Sequence, residues 1–433
     1  MKLCVNEGEL AGASFSLEIY SAIIHNNEQN IRGSKFPGDS EGYRRRVNRN
    51  MDMGDVRIIE VKSKSQLRKF VDFPNRMYKD VPEFVPAFYG DDMADWNRKK
   101  NPAFQYCEAR AFLAYRDQEI VGRIGAILSH RANETWHTHR MRFTQVDFID
   151  DPEVSALLFA TVEEWAREKG CTEVHGPLGF CDLDREGMLV EGFDKRSMFI
   201  TYYNHPYYNK HLSDLGYVKD ADWIEFKIKI PKEGEQNYQR LRRLSNAVMQ
   251  KGHYHVVELK KQSQMKPYIR KVFELVNLCY SELYSVVELN EEQIEKYAGK
   301  FIPLVNQDYC CMVMDDQDRL AGFGVASPSM ASAMQKSHGR LFPLGWIRVL
   351  RSLKKNTALD LLLIAVRPEL QGRGINAVII DHIMRSCIKN HIAYAESGPQ
   401  LELNFKINSQ WKSFDISQHK RRRCYVKQIT TLQ

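Results

Sequence analysis

Apolar and polar positions alternate at Ile59-Glu60-Val61-Lys62, then give way to a helical pattern from Ser65-Gln66-Leu67-Arg68. The same transition returns about 198 residues later, where Val257-Glu258-Leu259-Lys260 leads to Ser263-Gln264-Met265-Lys266. Each reads as a short strand passing into a helix with a Ser at its cap. Two further echoes follow in the same order. Ala111 to Ala126 and Cys310 to Val325 each hold two strand-like runs around a polar turn, predicting hairpins. Asp151-Pro152-Glu153-Val154 then opens a helix, as Arg367-Pro368-Glu369-Leu370 does later. Three echoes in one order predict a duplicated domain of the α/β class, each copy a mixed sheet with helices on both faces. The copies are expected at 54–235 and 253–433, joined by a polar helical connector at 236–252. Residues 1–53 are rich in Asn, Gly, Ser and Arg without a core-forming pattern, and read as a flexible extension or a mis-assigned start ahead of Met51 or Met53.

The most informative segment lies in the second copy. Ala358 to Val366 is an almost unbroken apolar run, as expected of a buried central strand. It leads through Arg367-Pro368-Glu369-Leu370 into Gln371-Gly372-Arg373-Gly374-Ile375 and an apolar-periodic helix to about Asn390. Two glycines in a tight turn let backbone N–H groups converge, and the helix N-terminus adds partial positive charge. The predicted product is a cradle for a pyrophosphate, with Arg373 adding a direct charge contact. A strand–helix turn without a ligand is the plainer alternative.

This stretch resembles the acyl-CoA signature of the GNAT acyltransferase superfamily. Val366, Pro368, Gln371 and Gly374 match in register, whereas Asn376 stands where Gly or Ala is usual. The fold class implied is two tandem GNAT-like domains. The resemblance also implies acetyl-CoA or a longer acyl-CoA as co-substrate. Its pantetheine would pair with the strand at Ile364 and Val366, its pyrophosphate would rest on Gln371, Gly372, Arg373, Gly374 and Ile375, and Asn404 would meet the CoA arm. The family's general-acid Tyr is expected seven residues after that Asn, but position 411 is Trp. Tyr425, Tyr394 or water is left to serve instead. A thiolate with a pKa of about 8.5 is a tolerable leaving group even without an acid. Candidate bases for an ammonium acceptor are Asp360, Glu396 and Glu402, since a carboxylate among apolar neighbours is pushed toward neutrality.

The first copy has no such loop. Asp151-Pro152-Glu153-Val154 runs directly into Ser155-Ala156-Leu157-Leu158, so this half is expected to be a degenerate GNAT-like domain without a CoA cradle. It carries instead a turn-rich, aromatic insertion from Gly176-Pro177 to Tyr207-Tyr208, suited to an acceptor pocket or to a rigid interface loop.

Charge changes the picture in one place. The net charge is +7, and no acidic residue lies between Arg319 and Leu359, where seven Lys or Arg stand. Within that stretch Trp346, Val349, Leu350 and Leu353 share one helical face, and Arg348, Arg351 and Lys355 another. Such a helix suits an anionic membrane surface through 342–355, or ordinary packing on a core. The Gly-Pro-x-Gly-Phe, Pro-Tyr-Tyr, Pro-Glu-Leu-Gln-Gly-Arg-Gly, Glu-x-Asn and Arg-Arg-x-Tyr segments also resemble a bacterial group of two-halved GNAT-like proteins that includes ceramide synthases. That resemblance implies transfer of an acyl group from a thioester to a primary amine, such as a sphingoid-like amino alcohol. A non-catalytic acyl-CoA-binding protein and a peptidyltransferase using aminoacyl-tRNA are the rival readings. Nine cysteines without a CxxC pair give no zinc pattern, so no metal is expected. The basic run Lys420 to Arg423 lacks any accompanying nucleic-acid motif, so no nucleic-acid partner is expected. No apolar run reaches about 18 residues. The expected location is cytoplasmic, with peripheral contact to the inner membrane face.

Overall fold

The computed structural model describes residues 55–430. Its strands, in chain order, are β1 (Val56–Glu60), β2 (Cys107–Arg116), β3 (Glu119–Ser129), β4 (Arg140–Phe148), β5 (Glu173–Gly176), β6 (Met188–Glu191), β7 (Val218–Lys229), β8 (His255–Val256), β9 (Cys310–Met314), β10 (Leu320–Pro328), β11 (Ala358–Val366), β12 (Tyr394–Ser397), β13 (Gln400–Leu401) and β14 (Ile416–Gln428). They form one sheet in the order β1-β2-β3-β4-β5-β14-β7-β12-β11-β10-β9-β8, with β13 paired to β7 and β6 to β14. All pairings are antiparallel except β4 with β5 and β11 with β12, one in each half.

The middle of that order is the unexpected part. β7, the last strand of the first half, pairs with β12 of the second, and β14, the last strand of the second half, pairs with β5 of the first. The halves have exchanged their final strands, and β7 and β14 run antiparallel along the seam.

Helices cover both faces. On one face Pro152–Glu168 buries Val154, Leu158, Phe159, Val162 and Trp165, and Ile375–Lys389 buries Ile375, Val378, Ile379, Ile383 and Met384. The second helix sits so close to β10 that a Cβ on Gly324 would lie 2.3 Å from Cγ2 of Ile379. The other face carries the helices Lys64–Met77, Ile269–Tyr280, Ala331–Ser337 and Gly345–Lys354, whose buried side chains join separate apolar clusters.

The repeat holds, but its chemistry lies one residue type away from the Ser caps. The first helix is capped by Ser63 rather than Ser65, and Ser263 lies inside a 3-10 turn, Gln262–Tyr268, that precedes the helix Ile269–Tyr280. The two copies share the glutamine. Gln66 Oε1 accepts from the N–H of Lys62 and Ser63, and Gln264 Oε1 from the N–H of Lys260 and Lys261. Both therefore satisfy the donors that a helix start leaves orphaned. Likewise Pro368–Leu370 is a 3-10 turn, and the following helix begins only at Ile375. The connector is the helix Gln236–Lys251, which packs through Leu241, Val248 and Met249 on the second core.

Candidate active site

β11 pairs with β12 only from Ala358 to Leu361, and the N–H of Gly398 closes that section on the Leu361 carbonyl at 2.9 Å. Past this point the two strands part. The ladder between β10 and β11 shifts register between Val325 and Ala326, leaving Leu362 as an extra residue. The N–H of Arg367 donates to Ala321 at 3.0 Å, which fixes the phase of the ladder. The backbone groups of Ile364 and Val366 therefore face away from β10, into the opening. Two of them already have partners. The Tyr280 hydroxyl donates to the Ile364 carbonyl at 3.0 Å, and the Cys279 thiol and Gln371 Nε2 donate to the Val366 carbonyl at 3.3 Å each. The apolar side chains Leu361 to Ile364 stay only half-buried, although they lie on an inner strand.

At the end of this edge the chain turns through Gly372 (φ +77°) and Gly374 (φ +85°), a left-handed conformation that favours glycine. Gly374 is the helix N-cap and has no side chain to cap with. Among the described residues no acceptor takes the N–H of Gly372, Gly374, Ile375 or Asn376, and exposed Arg373 has no carboxylate partner. The result is a solvent-facing set of free donors at a helix start. Helix Gln236–Lys251 forms its wall, since a Cβ on Gly374 would lie 2.7 Å from Cγ2 of Val248.

The first half has the same opening between β4 and β5, already filled. Leu178 N–H bonds Phe143 O at 3.0 Å, as Gly398 bonds Leu361. Beyond it, Phe148 donates its N–H to the Tyr208 hydroxyl at 2.8 Å and accepts from the Tyr207 hydroxyl at 2.6 Å. The following helix is capped by the Asp151 carboxylate, which accepts from Glu153 N–H at 2.9 Å. An anionic cap occupies the place that free donors hold in the second half.

Asp360 stands just before the strands part, in register with Glu396 on β12. Asp360 is 2 % exposed, and its Oδ2 has no hydrogen-bond partner. Burial pushes its pKa up to about 7, the charge of Glu396 adds to the rise, and a hydrogen bond with Ser329 and the charges of Lys420 and Arg196 oppose it. Glu396 accepts from Lys420 Nζ at 3.1 Å. Lys420 Nζ also lies 3.5 Å from Glu225, which accepts from Arg422 Nε at 2.5 Å. All three of Glu225, Lys420 and Arg422 are fully buried. Tyr394 belongs here too, beside Glu396 on its strand, with Lys227 Nζ 4.2 Å from its ring centre.

The structure does not bring Tyr425 to this group. Its hydroxyl donates to Asn209 Oδ1 at 2.8 Å, and its ring packs in the first-half core. Of the two tyrosines left open by the sequence, Tyr394 is the one beside the carboxylates. Glu402 is paired with Lys219 at 2.8 Å and with Arg421, and the Lys219 and Arg421 hydrogen bonds hold its carboxyl below the usual range. Asn404 caps a short helix, Phe405–Ser409, accepting from Ile407 N–H at 3.3 Å. Trp411 is buried in the second core, where its indole N–H donates to Gln400 at 3.3 Å.

Sequence reasoning missed several groups of this cleft. Tyr280 ends the helix Ile269–Tyr280, which no sequence motif marks out. Asp182 and Glu186 come from the aromatic insertion and have no hydrogen-bond or ion-pair partner among the described residues. Burial pushes Asp182 up to about 6 against the pull of Arg142, and its charge acts on Tyr280. Burial, with Asp182 adding to it, raises Glu186 well above the usual range. The insertion is also an interface. Arg142 holds Gly179 O and Ser285 O at 2.9 Å each, and Tyr297 donates to Asp184 at 2.9 Å. The run Lys420 to Arg423 is an internal ladder on β14, with Arg421 and Arg423 both bonded to Asp222.

No family model matches the chain. Protein YghO of Escherichia coli K12 is 26 % identical over 373 residues, covering 85 % of this chain and 94 % of that protein. Bacterial ceramide synthase of Caulobacter vibrioides is 26 % identical over 305 residues, covering 69 % and 77 %. Among solved structures, a tandem GNAT protein from the clavulanic acid biosynthesis pathway superposes with a TM-score of 0.50 at 12 % identity, covering 86 % of this chain and 98 % of that one.

Proposed function

Because the chain has the tandem GNAT fold, we propose that it is an acyl-CoA-dependent N-acyltransferase whose donor site lies in the second half. The observation that carries this reading is the continuity of the parted edge of β11 with the free donors of Gly372, Gly374, Ile375 and Asn376. From Val366 back to Asp360 the strand covers roughly 20 Å at about 3.3 Å per residue. That is the reach of an extended phosphopantetheine arm. A pyrophosphate on the glycine turn would therefore put the thioester near Leu361 and Leu362.

The reaction is attack of a neutral amine on the thioester carbonyl. The C–N bond forms, the C–S bond breaks, the electron pair leaves on the CoA thiolate, and the amine proton goes to a base. Asp360, poised near neutrality, is the base, with Glu396 and Lys420 setting its charge environment. Glu402 is already neutralised by two cations, and Tyr425 lies in the other core. Neither carries a step here. Tyr394, two residues before Glu396 on β12, is the phenol assigned to protonate the leaving thiolate. No metal enters the scheme.

The acceptor is a primary amine on a long-chain amino alcohol. Likeness to bacterial ceramide synthase supports this, as do the half-buried apolar side chains from Leu361 to Ile364. The filled edge and anionic cap of the first half support a donor site in the second half alone.

Calorimetry with CoA and with acetyl- through palmitoyl-CoA tests the reading, on the wild type and on Gly374→Trp, with circular dichroism as the check on folding. Micromolar binding that the variant loses supports it. A wild type that binds none of these thioesters overturns it.

A further inference from the structure

Five large apolar side chains stand exposed within ten residues of one another, Leu341, Phe342, Leu344, Trp346 and Leu350, with Phe342 79 % exposed. They belong to the turn and helix Gly345–Lys354. Beside them Lys336, Arg348, Arg351, Lys354 and Lys355 are exposed, and none has a carboxylate partner among the described residues. On the helix Trp346 and Leu350 lie beside Val349 and Leu353, Arg348 and Arg351 lie away from them, and Lys354 follows one turn after Leu350. A surface that is apolar along one rim and unneutralised cationic along the next is complementary to a bilayer with anionic headgroups.

The inner side of the same helix leads to the candidate site. Val349 and Leu353 pack in one cluster with Phe199, Ile200, Met330, Met334 and Leu362. Leu362 is the extra residue of β11, two positions from Asp360. Ile200 Cδ1 lies 3.8 Å from where a Cβ on Gly398 would stand, at the point where β11 and β12 part. Apolar side chains are thus continuous from the exposed rim to the parting of the strands.

We propose that residues 341–355 dock the protein on an anionic bilayer and that a lipid amine enters the cleft beneath this helix. The entry step rests on the acyltransferase reading, and the docking does not.

The full chain is tested by co-sedimentation with phosphatidylcholine vesicles, with and without phosphatidylglycerol. The expected result is binding that requires phosphatidylglycerol. Binding should weaken at least about tenfold in Arg348→Glu with Arg351→Glu, at about 1 kcal/mol per basic residue near the surface, and should be lost in Phe342→Ser with Trp346→Ser. No vesicle binding, equal binding to neutral vesicles, or self-association through this face in place of vesicle binding overturns the docking. For entry, the Phe342→Ser, Trp346→Ser variant should keep its rate on a short soluble amine and lose it on a long-chain amine embedded in vesicles. Equal loss on both overturns entry. Vesicle binding with no acyl transfer to any amine leaves the docking standing and removes the acyltransferase reading instead.

Discussion

The Tyr280 hydroxyl bonds the Ile364 carbonyl at 3.0 Å, on a stretch of the β11 edge that β12 does not cover. Under the proposed function a pantetheine amide lying along β11 would use that carbonyl, and Tyr280 would compete with the donor for it. Removing one such bond changes a free energy by about 0.5–1.5 kcal/mol. Tyr280→Phe should therefore bind acyl-CoA about two- to tenfold more tightly than wild type by calorimetry. Weaker binding would mean that the phenol contacts the donor rather than yielding to it.

The two glycines of the turn should respond differently to alanine. Both have positive φ, which costs an L-residue about 1–2 kcal/mol. At Gly372 a Cβ meets open space, whereas at Gly374 it meets Val248 at 2.7 Å. Gly374→Ala should thus lower stability more than Gly372→Ala in urea titrations and weaken acyl-CoA binding more. Equal effects would show that the Gln236–Lys251 helix yields freely at Val248.

Asp360 supplies a pH prediction. Its carboxyl must be ionised to act as a base, so the acyl-transfer rate should rise with pH through about 7. Asp360→Asn should cut turnover about 100- to 10,000-fold and abolish that rise.

The same residue should act oppositely on stability. Its folded pKa lies above its unfolded value of about 3.9, so the folded chain holds the proton more tightly. The cost of burying the charge is absent below about pH 4 and grows as the pH rises through about 7. Thermal unfolding should find Asp360→Asn more stable than wild type at pH 8, by at most about 4 kcal/mol for a shift of about three pKa units. At pH 4 the difference should vanish. A variant less stable at both values would assign Asp360 a structural role.

Arg422 and Glu225 are both fully buried and bonded to each other across the exchanged strands. Among the described residues, Arg422→Met leaves Glu225 with Lys420 at 3.5 Å as its one ion-pair partner. Breaking a buried pair on one side costs about 3–5 kcal/mol. Chemical denaturation of Arg422→Met should show a loss of that size. A double variant, Arg422→Met with Glu225→Gln, should recover part of it.

The turn with its free donors was legible because a nest of N–H groups needs particular residues in consecutive positions, and Gly372 and Gly374 announce it. The parallel with the first half was legible for the same reason, since Asp151-Pro152 leaves no room for a turn. Asp360 could be singled out as a lone carboxylate in an apolar strand. Its neighbours could not. Lys420 reaches Glu396 only because β14 crosses into the first half, and strand partners far apart in the chain leave no mark on local periodicity. That crossing also explains the misplacement of Tyr425, which belongs to the second copy by sequence and to the first core by packing. Ser65 and Ser263 misled because Ser is a common cap, whereas the shared Gln66 and Gln264 contacts depend on backbone geometry.

Strand exchange also governs the order in which the chain can complete itself. β5 and the first-half core receive β14 only after the whole second half has been synthesised. Until then the growing chain carries an unpaired inner edge at β5, the kind of edge that recruits foreign strands. A ribosome-bound first half is therefore a client for chaperones rather than a finished domain, and a stop codon anywhere before residue 416 would undo both halves at once.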